Sequence, residues 1–308
     1  MGRRIRWTLA GAGLTAAALT AGVLVSVGGR AATPAPVAEV ADPPPDTAIS
    51  PGPVTSTSEV PYPDLSAVAA GVADAVTAAS PRTTVGFVLY DRESGKELAS
   101  LGADEPYYTA SVVKLLIAID EVRDDTTGTW ALPDAGAVED LTDMLEGSDD
   151  AIASAFWERN GGNAIVTRTA ALLGLAHTTP PADPTQWGMA ETSAGDVLAI
   201  YQYLEDTMPD EVAQPILTAL GNARNPADDG WDQYFGIPDG LSGMSWQIKQ
   251  GWMILRSSLV LNTTGVVGDR YVVVLLTQQP PIASAEGRAA VTAGIKTLAP
   301  LLAQLNAT

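Results

Sequence analysis

The stretch YYTASVVKLLIAIDEV, residues 107–122, poses the question that decides the fold. Lys114 stands three residues after Ser111 in a helical pattern that is otherwise apolar. A lysine buried in such a pattern costs free energy unless it is paired or has a task. Ser-x-x-Lys on a helix places both side chains on one face, one turn apart. Serine alone is a weak nucleophile and needs a neighbouring base. Lysine can be that base when burial or a second cation lowers its pKa. The helix is expected to open near Ser111, where unpaired N-terminal amides suit an oxyanion. On the alternative reading, Lys114 simply carries its ammonium to the surface of an amphipathic helix.

Bulk properties narrow the chemistry. The chain has 308 residues, 46% of them apolar, so a sizeable core can form. The net charge is -19. Four of the 17 basic residues (Arg3, Arg4, Arg6, Arg30) lie in the first 32 positions, which hold no acid, so the remainder sets 13 bases against 36 acids. Such a surface repels phosphate backbones, and nucleic acid is excluded as a partner. There is no cysteine, which removes disulfides, thiol catalysis, thiolate metal sites and a lipid-modified cysteine. The single histidine, His177 in LLGLAHTTP, reads as a loop residue just past a helix. Catalysis is therefore left to Ser, Lys, Asp, Glu or Tyr, with no cofactor or metal expected.

Three regions are expected. Residues 1–32 begin with arginines and continue into an uncharged run over 8–29, the pattern of an export signal. The run is also long enough to span a bilayer, so a cleaved signal and a retained anchor both stand. Either makes the protein extracytoplasmic, touching the membrane only through this segment. Residues 33–63 hold nine of the 22 prolines and read as a spacer. Residues 64–308 form the folded domain. A helix with Leu65, Val68, Ala69, Val72 and Val76 at helical spacing opens it, with Asp64 as a candidate cap. A hairpin turning at RESGK follows, then helices to about residue 220, three strands, and one closing helix over 284–305. Strands at both ends and helices between them predict an α+β fold: an antiparallel sheet flanked by terminal helices, with an all-helical lobe inserted.

Two distant motifs bear on Ser111 and Lys114. Ser148-Asp149-Asp150 lies between two helical segments, and Lys249-Gln250-Gly251 lies inside a strand pattern. With Ser-x-x-Lys in front, this order resembles the serine β-lactamase and penicillin-binding protein superfamily, most closely class A β-lactamases, which carry S-x-x-K, S-D-N and K-T-G. The resemblance implies that Ser111 forms an acyl-enzyme, Lys114 takes its proton, Ser148 passes a proton to the leaving group, and Lys249 supplies positive field near a substrate carboxylate. The backbone N–H groups of Ser111 and Trp252 would form the oxyanion hole. Asp150, Gln250 and Gly251 would contact substrate. The implied substrate is a β-lactam or a peptidoglycan stem peptide, and a monomer is expected. Ser148 also suits a plain helix cap.

The pattern departs from the family in three places. Asp150 replaces an asparagine, and an ionised aspartate can only accept hydrogen bonds. Gln250 replaces a small hydroxyl residue that would touch the substrate carboxylate. The segment PPADPTQ, where the family carries the glutamate that activates a deacylating water, holds only Asp183, read as a turn residue; Glu191 follows the tryptophan. A persistent acyl-enzyme is expected. A D-Ala-D-Ala carboxypeptidase, another wall peptidase or esterase, and a non-catalytic wall-binding protein are the alternatives. The tryptophans Trp130, Trp157, Trp187, Trp231 and Trp246 are read as packing, and the Asn-x-Thr sequences at Asn262 and Asn306 are discounted as chance matches.

Overall fold

The computed structural model describes residues 65–124 and 126–307. The signal or anchor segment, the proline-rich spacer and the Asp64 cap lie outside the described residues. Helix α1 (Val68–Ala79) starts after a turn and buries Val72 and Val76. Strands β1 (Thr84–Asp91) and β2 (Lys96–Leu101) form the expected hairpin, with Gly95 at φ 66° in the turn, a conformation glycine adopts without strain. A two-residue strand β3 (Tyr107–Tyr108) leads into a 3₁₀ turn (Ala110–Val113) and then α2 (Lys114–Glu121). Ser111 therefore stands in the 3₁₀ turn ahead of the α-helix, and Lys114 is the first α-helical residue.

The inserted lobe continues through α3 (Ala135–Glu146), α4 (Asp150–Arg159) and α5 (Asn163–Leu173). Strand β4 (Glu191–Thr192) pairs with β3, and α6 (Ala194–Asp206) and α7 (Asp210–Gly221) complete it. A one-turn helix α8 (Ile237–Gly240) precedes strands β5 (Trp246–Ile254), β6 (Leu259–Val267) and β7 (Tyr271–Gln279). The expected closing helix is two, α9 (Ser284–Lys296) and α10 (Ala299–Leu305). Pro300 explains the break, because its ring clashes with the preceding turn of a continuous helix. Ile295, Leu298, Leu302 and Leu305 are nevertheless all buried, as their spacing predicts.

The five strands form one antiparallel sheet in the order β2-β1-β7-β6-β5. Alternation along β7 serves two cores. Val272, Val274 and Leu276 pack into the helical lobe, while Tyr271, Val273 and Leu275 pack against the layer of α1, α9 and α10. A period of two on a sheet covered on both faces requires this near-continuous apolar run. β5 is the sheet edge, and it lies beside the 3₁₀ turn that carries Ser111.

Asn262 joins sheet and turn. It is fully buried on β6, donates through Nδ2 to the carbonyls of Tyr108 and Thr109 at 2.9 and 3.1 Å, and accepts from the Thr277 amide at 3.2 Å. Its burial rules out glycosylation of the folded chain there. Asn262→Leu should leave these backbone groups unpaired and lower stability by about 1–3 kcal/mol, read by urea unfolding. An unchanged midpoint would show that Asn262 does not hold this junction.

Candidate active site

The nucleophile candidate is placed by a tight backbone approach. Ala110, just before Ser111, sits at φ 44°, uncommon for a residue with a Cβ. The 3₁₀ turn packs on β5 at Gly251, where a Cβ would lie 2.7 Å from the Thr109 carbonyl oxygen. Gly251 thus lets strand and turn meet. It is buried against the protein, and the structure assigns it this packing role.

Lys114 is fully buried. Its Nζ lies 3.0 Å from Ser111 Oγ, 2.8 Å from the Ser148 carbonyl, 3.2 Å from Ser148 Oγ and 2.6 Å from Asp150 Oδ1. The reading of Lys114 as a surface lysine is thereby excluded. Burial lowers its pKa, and the negative charges of Asp150, Asp149 and Asp229 oppose that effect. An arrangement of this kind can hold the amine neutral for proton abstraction or cationic beside its carboxylate, depending on which influence wins.

Ser148 sits between two lysines. Its Oγ is 2.9 Å from Lys249 Nζ and 3.2 Å from Lys114 Nζ. Its backbone is at φ 56°, a conformation that costs energy for serine and persists only when surroundings impose it. The helix cap is Asp149 instead, whose side chain accepts from the Ile152 amide at 2.8 Å, so Ser148 is free of that duty. Lys249 is also buried, and its pKa is well below the ordinary lysine value because of burial and then the charge of Lys114. Four side chains from three distant segments therefore form one continuous hydrogen-bonded line, from Ser111 through Lys114 and Ser148 to Lys249.

A cleft of about 310 Å³ opens at the Ser111 end of this line. Ser111, Asp150, Trp187, Trp252 and Met253 are among its lining residues. Gln250 is not: it is fully buried, and its Nε2 donates to the carbonyls of Gln233 and Phe235 at 3.1 and 2.6 Å. The substrate-binding expectation for Gln250 is corrected accordingly. Its amide instead ties β5 to the acidic loop over 222–236. Asp229 of that loop accepts the Trp252 indole N–H at 3.0 Å, and Trp231 stacks on Trp252 at 5.8 Å with planes 4° apart.

The segment after α5 supplies no carboxylate to the cleft. Asp183 is exposed and accepts from the Thr185 amide at 3.0 Å and its hydroxyl at 2.8 Å, an Asx turn. Glu191 lies in β4 opposite Tyr108. Trp187 comes in their place, with its ring centroid 4.8 Å from Lys114 Nζ and its indole N–H 3.2 Å from Ser154 Oγ. The reading of Trp187 as packing alone is corrected. Its position in a proline-rich segment without a glutamate was the available signal. His177 is remote, exposed, and near Asp104 at 3.6 Å. Among the described residues no group of three or more His, Asp or Glu side chains could hold a metal ion.

The lowered pKa of Lys249 has a sign for stability. Between its folded and unfolded values the unfolded chain binds the extra proton, so stability rises with pH across that window. Urea unfolding of the native chain should show stability rising toward the ordinary lysine value near 10.5. Lys249→Met should flatten that slope by up to about 1.4 kcal/mol per pH unit. Equal slopes would mean that Lys249 stays protonated when buried.

Comparisons with known proteins bear on the family and the fold. No family model matches the chain. The chain is 37% identical over 230 residues to a protein named "Putative lipoprotein LppW" in Mycobacterium tuberculosis and Mycobacterium bovis, covering 72% of each chain. Among solved structures it superposes on a class A β-lactamase from Bacteroides cellulosilyticus with a TM-score of 0.62, at 12% identity over 77% of this chain and 99% of that one. A β-lactamase from Streptomyces albus G gives 0.59 at 19% identity, over 77% of this chain and 99% of that one. PBP-A gives 0.58 at 16% identity, over 76% of this chain and 96% of that one. The chain belongs to the LppW family and has the fold of the serine β-lactamases and penicillin-binding proteins.

Proposed function

We propose that the protein is an extracytoplasmic serine acyl-transfer enzyme that forms a long-lived acyl-enzyme at Ser111 with β-lactams or related cell-wall amides and esters. The observation that carries this reading is the Lys114 Nζ, 3.0 Å from Ser111 Oγ, in line with Ser148 and Lys249. Ser111 Oγ attacks the carbonyl carbon while neutral Lys114 takes its proton. The bond to the leaving group then breaks, and Ser148 relays that proton onto it. The oxyanion rests on the N–H groups of Ser111 and Trp252. Water must then release the acyl group, but among the described residues the only carboxylate lining the cleft is Asp150, already committed to Lys114. Trp187, from the segment that holds no glutamate, lies over the lysine with its ring centroid 4.8 Å from Nζ. The relative named as a lipoprotein supports a place outside the cytoplasm. Here, with no cysteine to carry lipid, residues 8–29 would be the attachment.

A second reading rests on the Lys114–Asp150 ion pair at 2.6 Å. If Lys114 stays cationic it cannot take a proton, and the cleft binds without reacting. Two measurements separate the readings. Incubation with a fluorophosphonate, followed by intact-protein mass spectrometry, should show one stable adduct. Ser111→Ala should abolish it, and Lys114→Met should slow it by about 10²–10⁴. No adduct on the native chain would favour the binding role. Asp150 raises the pKa of Lys114, so Asp150→Asn should move the rising limb of the labelling rate to lower pH. A limb that stays in place would remove Lys114 as the base.

A further inference from the structure

We infer that the protein has a second binding site, at one end of the main sheet, for the phosphate ester of a polyol. The start of β1, the end of β7 and the β5–β6 hairpin meet there. Thr84 pairs with Gln278, while Gln278 and Gln279 pair with Val260 and Leu259 at the start of β6. These segments border a cavity of about 410 Å³, whose lining includes Arg82, Thr84, Ser257, Ser258, Gln278 and Gln279. It shares no lining residue with the Ser111 cleft.

Three features define the ligand. The first is charge. The chain carries -19 overall, yet no Asp or Glu lines this cavity. Arg82 lines it, and Arg256 stands next to Ser257 on the hairpin. Both arginines are exposed, and neither has an ion-pair partner among the described residues. Arg92, Arg224, Arg270 and Arg288 all lie beside carboxylates. The surface as a whole repels a polyanion, but one phosphate needs only a local positive field, because salt screens the more distant acids.

The second feature is the placement of Arg82. Its φ is 69°, uncommon for a residue with a Cβ. The turn that holds it is fixed by the Thr83 hydroxyl, which lies 2.7 Å from the Ser80 carbonyl and 2.9 Å from Ser80 Oγ. A guanidinium fork thus reaches the cavity from a fixed turn, beside the hydroxyls of Thr84, Ser257 and Ser258. So many donors suit the several oxygens of a phosphate better than the two of a carboxylate. The third feature is Gln279, which is 1% exposed. Its Nε2 donates to the Gly287 carbonyl at 3.2 Å and to Thr277 Oγ1 at 3.4 Å, while its Oε1 has no partner among the described residues. A buried carbonyl oxygen is costly to leave unpaired and can only accept. The ligand therefore offers a hydroxyl near its phosphate. A lipid headgroup, a wall polymer and a free phosphate ester share this chemistry.

The test is isothermal titration calorimetry of the full chain in an uncharged detergent. The probes are glycerol 3-phosphate, the diester glycerophosphoglycerol and inorganic phosphate. At least one ester should bind saturably, with one site per chain. Arg82→Gln should weaken that binding at least about tenfold, with an unchanged urea midpoint as the control for folding. Arg256→Gln, on an exposed hairpin, should weaken it severalfold and repeats the comparison independently of the Arg82 turn. Lys96→Gln removes an exposed cation from β2 and should change it by less than about twofold. Inorganic phosphate, which lacks the carbon-borne hydroxyl for Gln279, should bind roughly three- to tenfold more weakly. A diester bound as well as the monoester assigns the site to a headgroup or polymer, and preference for the monoester assigns it to a free ester. Absence of saturable binding by both esters overturns the inference. So do effects of Arg82→Gln and Arg256→Gln no larger than that of Lys96→Gln, since binding would then follow net charge alone. Inorganic phosphate bound as tightly as the esters overturns the assignment to a polyol.

Discussion

Two lysine side chains share one serine hydroxyl inside the protein, and the rest of the site is arranged around that constraint. Lys114 and Lys249 are both buried, and each lies within hydrogen-bonding distance of Ser148 Oγ. Two buried ammonium groups this close are costly through desolvation and mutual repulsion. The structure answers with aspartates and with lowered proton affinity. Asp150 pairs directly with Lys114, and Asp229 acts on both lysines from the facing loop. The unusual backbone of Ser148 belongs to the same arrangement: its hydroxyl lies between the two amines while Asp149 caps α4.

The surrounding fold is what keeps these groups together. The 3₁₀ turn bearing Ser111 leans on β5 through Gly251 and on β6 through Asn262. The lobe helices bring Ser148 to Lys114 from the other side, across a packed apolar core. Small displacements of sheet against lobe would break hydrogen bonds of about 3 Å, so precision here depends on packing on both faces of the sheet.

Departures from the motifs of the wider superfamily form a consistent set. Gln250 has become an internal staple for the loop that carries Asp229 and Trp231. Trp187 occupies the segment that holds no glutamate, and its ring lies 4.8 Å from Lys114 Nζ. Each change adds an interaction within the protein.

Much of this could be read from the residues in order. The helical period of α1, the β1–β2 hairpin and the alternating runs of β5, β6 and β7 are local patterns, and local patterns survive in sequence. The order of Ser-x-x-Lys, Ser-Asp and Lys-x-Gly located the four polar side chains before any distance was known. Other features depend on neighbours distant along the chain. Whether Gln250 faces substrate or core is decided by the carbonyls of Gln233 and Phe235, which meet it only after folding. That Trp187 lies over Lys114, and Asp229 beside Trp252, likewise depends on loops whose paths no periodicity encodes. Sequence therefore determined which chemistry is available here, because residue identity sets nucleophile and base. Tertiary structure alone decided the charge that faces a substrate, because electrostatic influence falls with distance in space and not with separation along the chain.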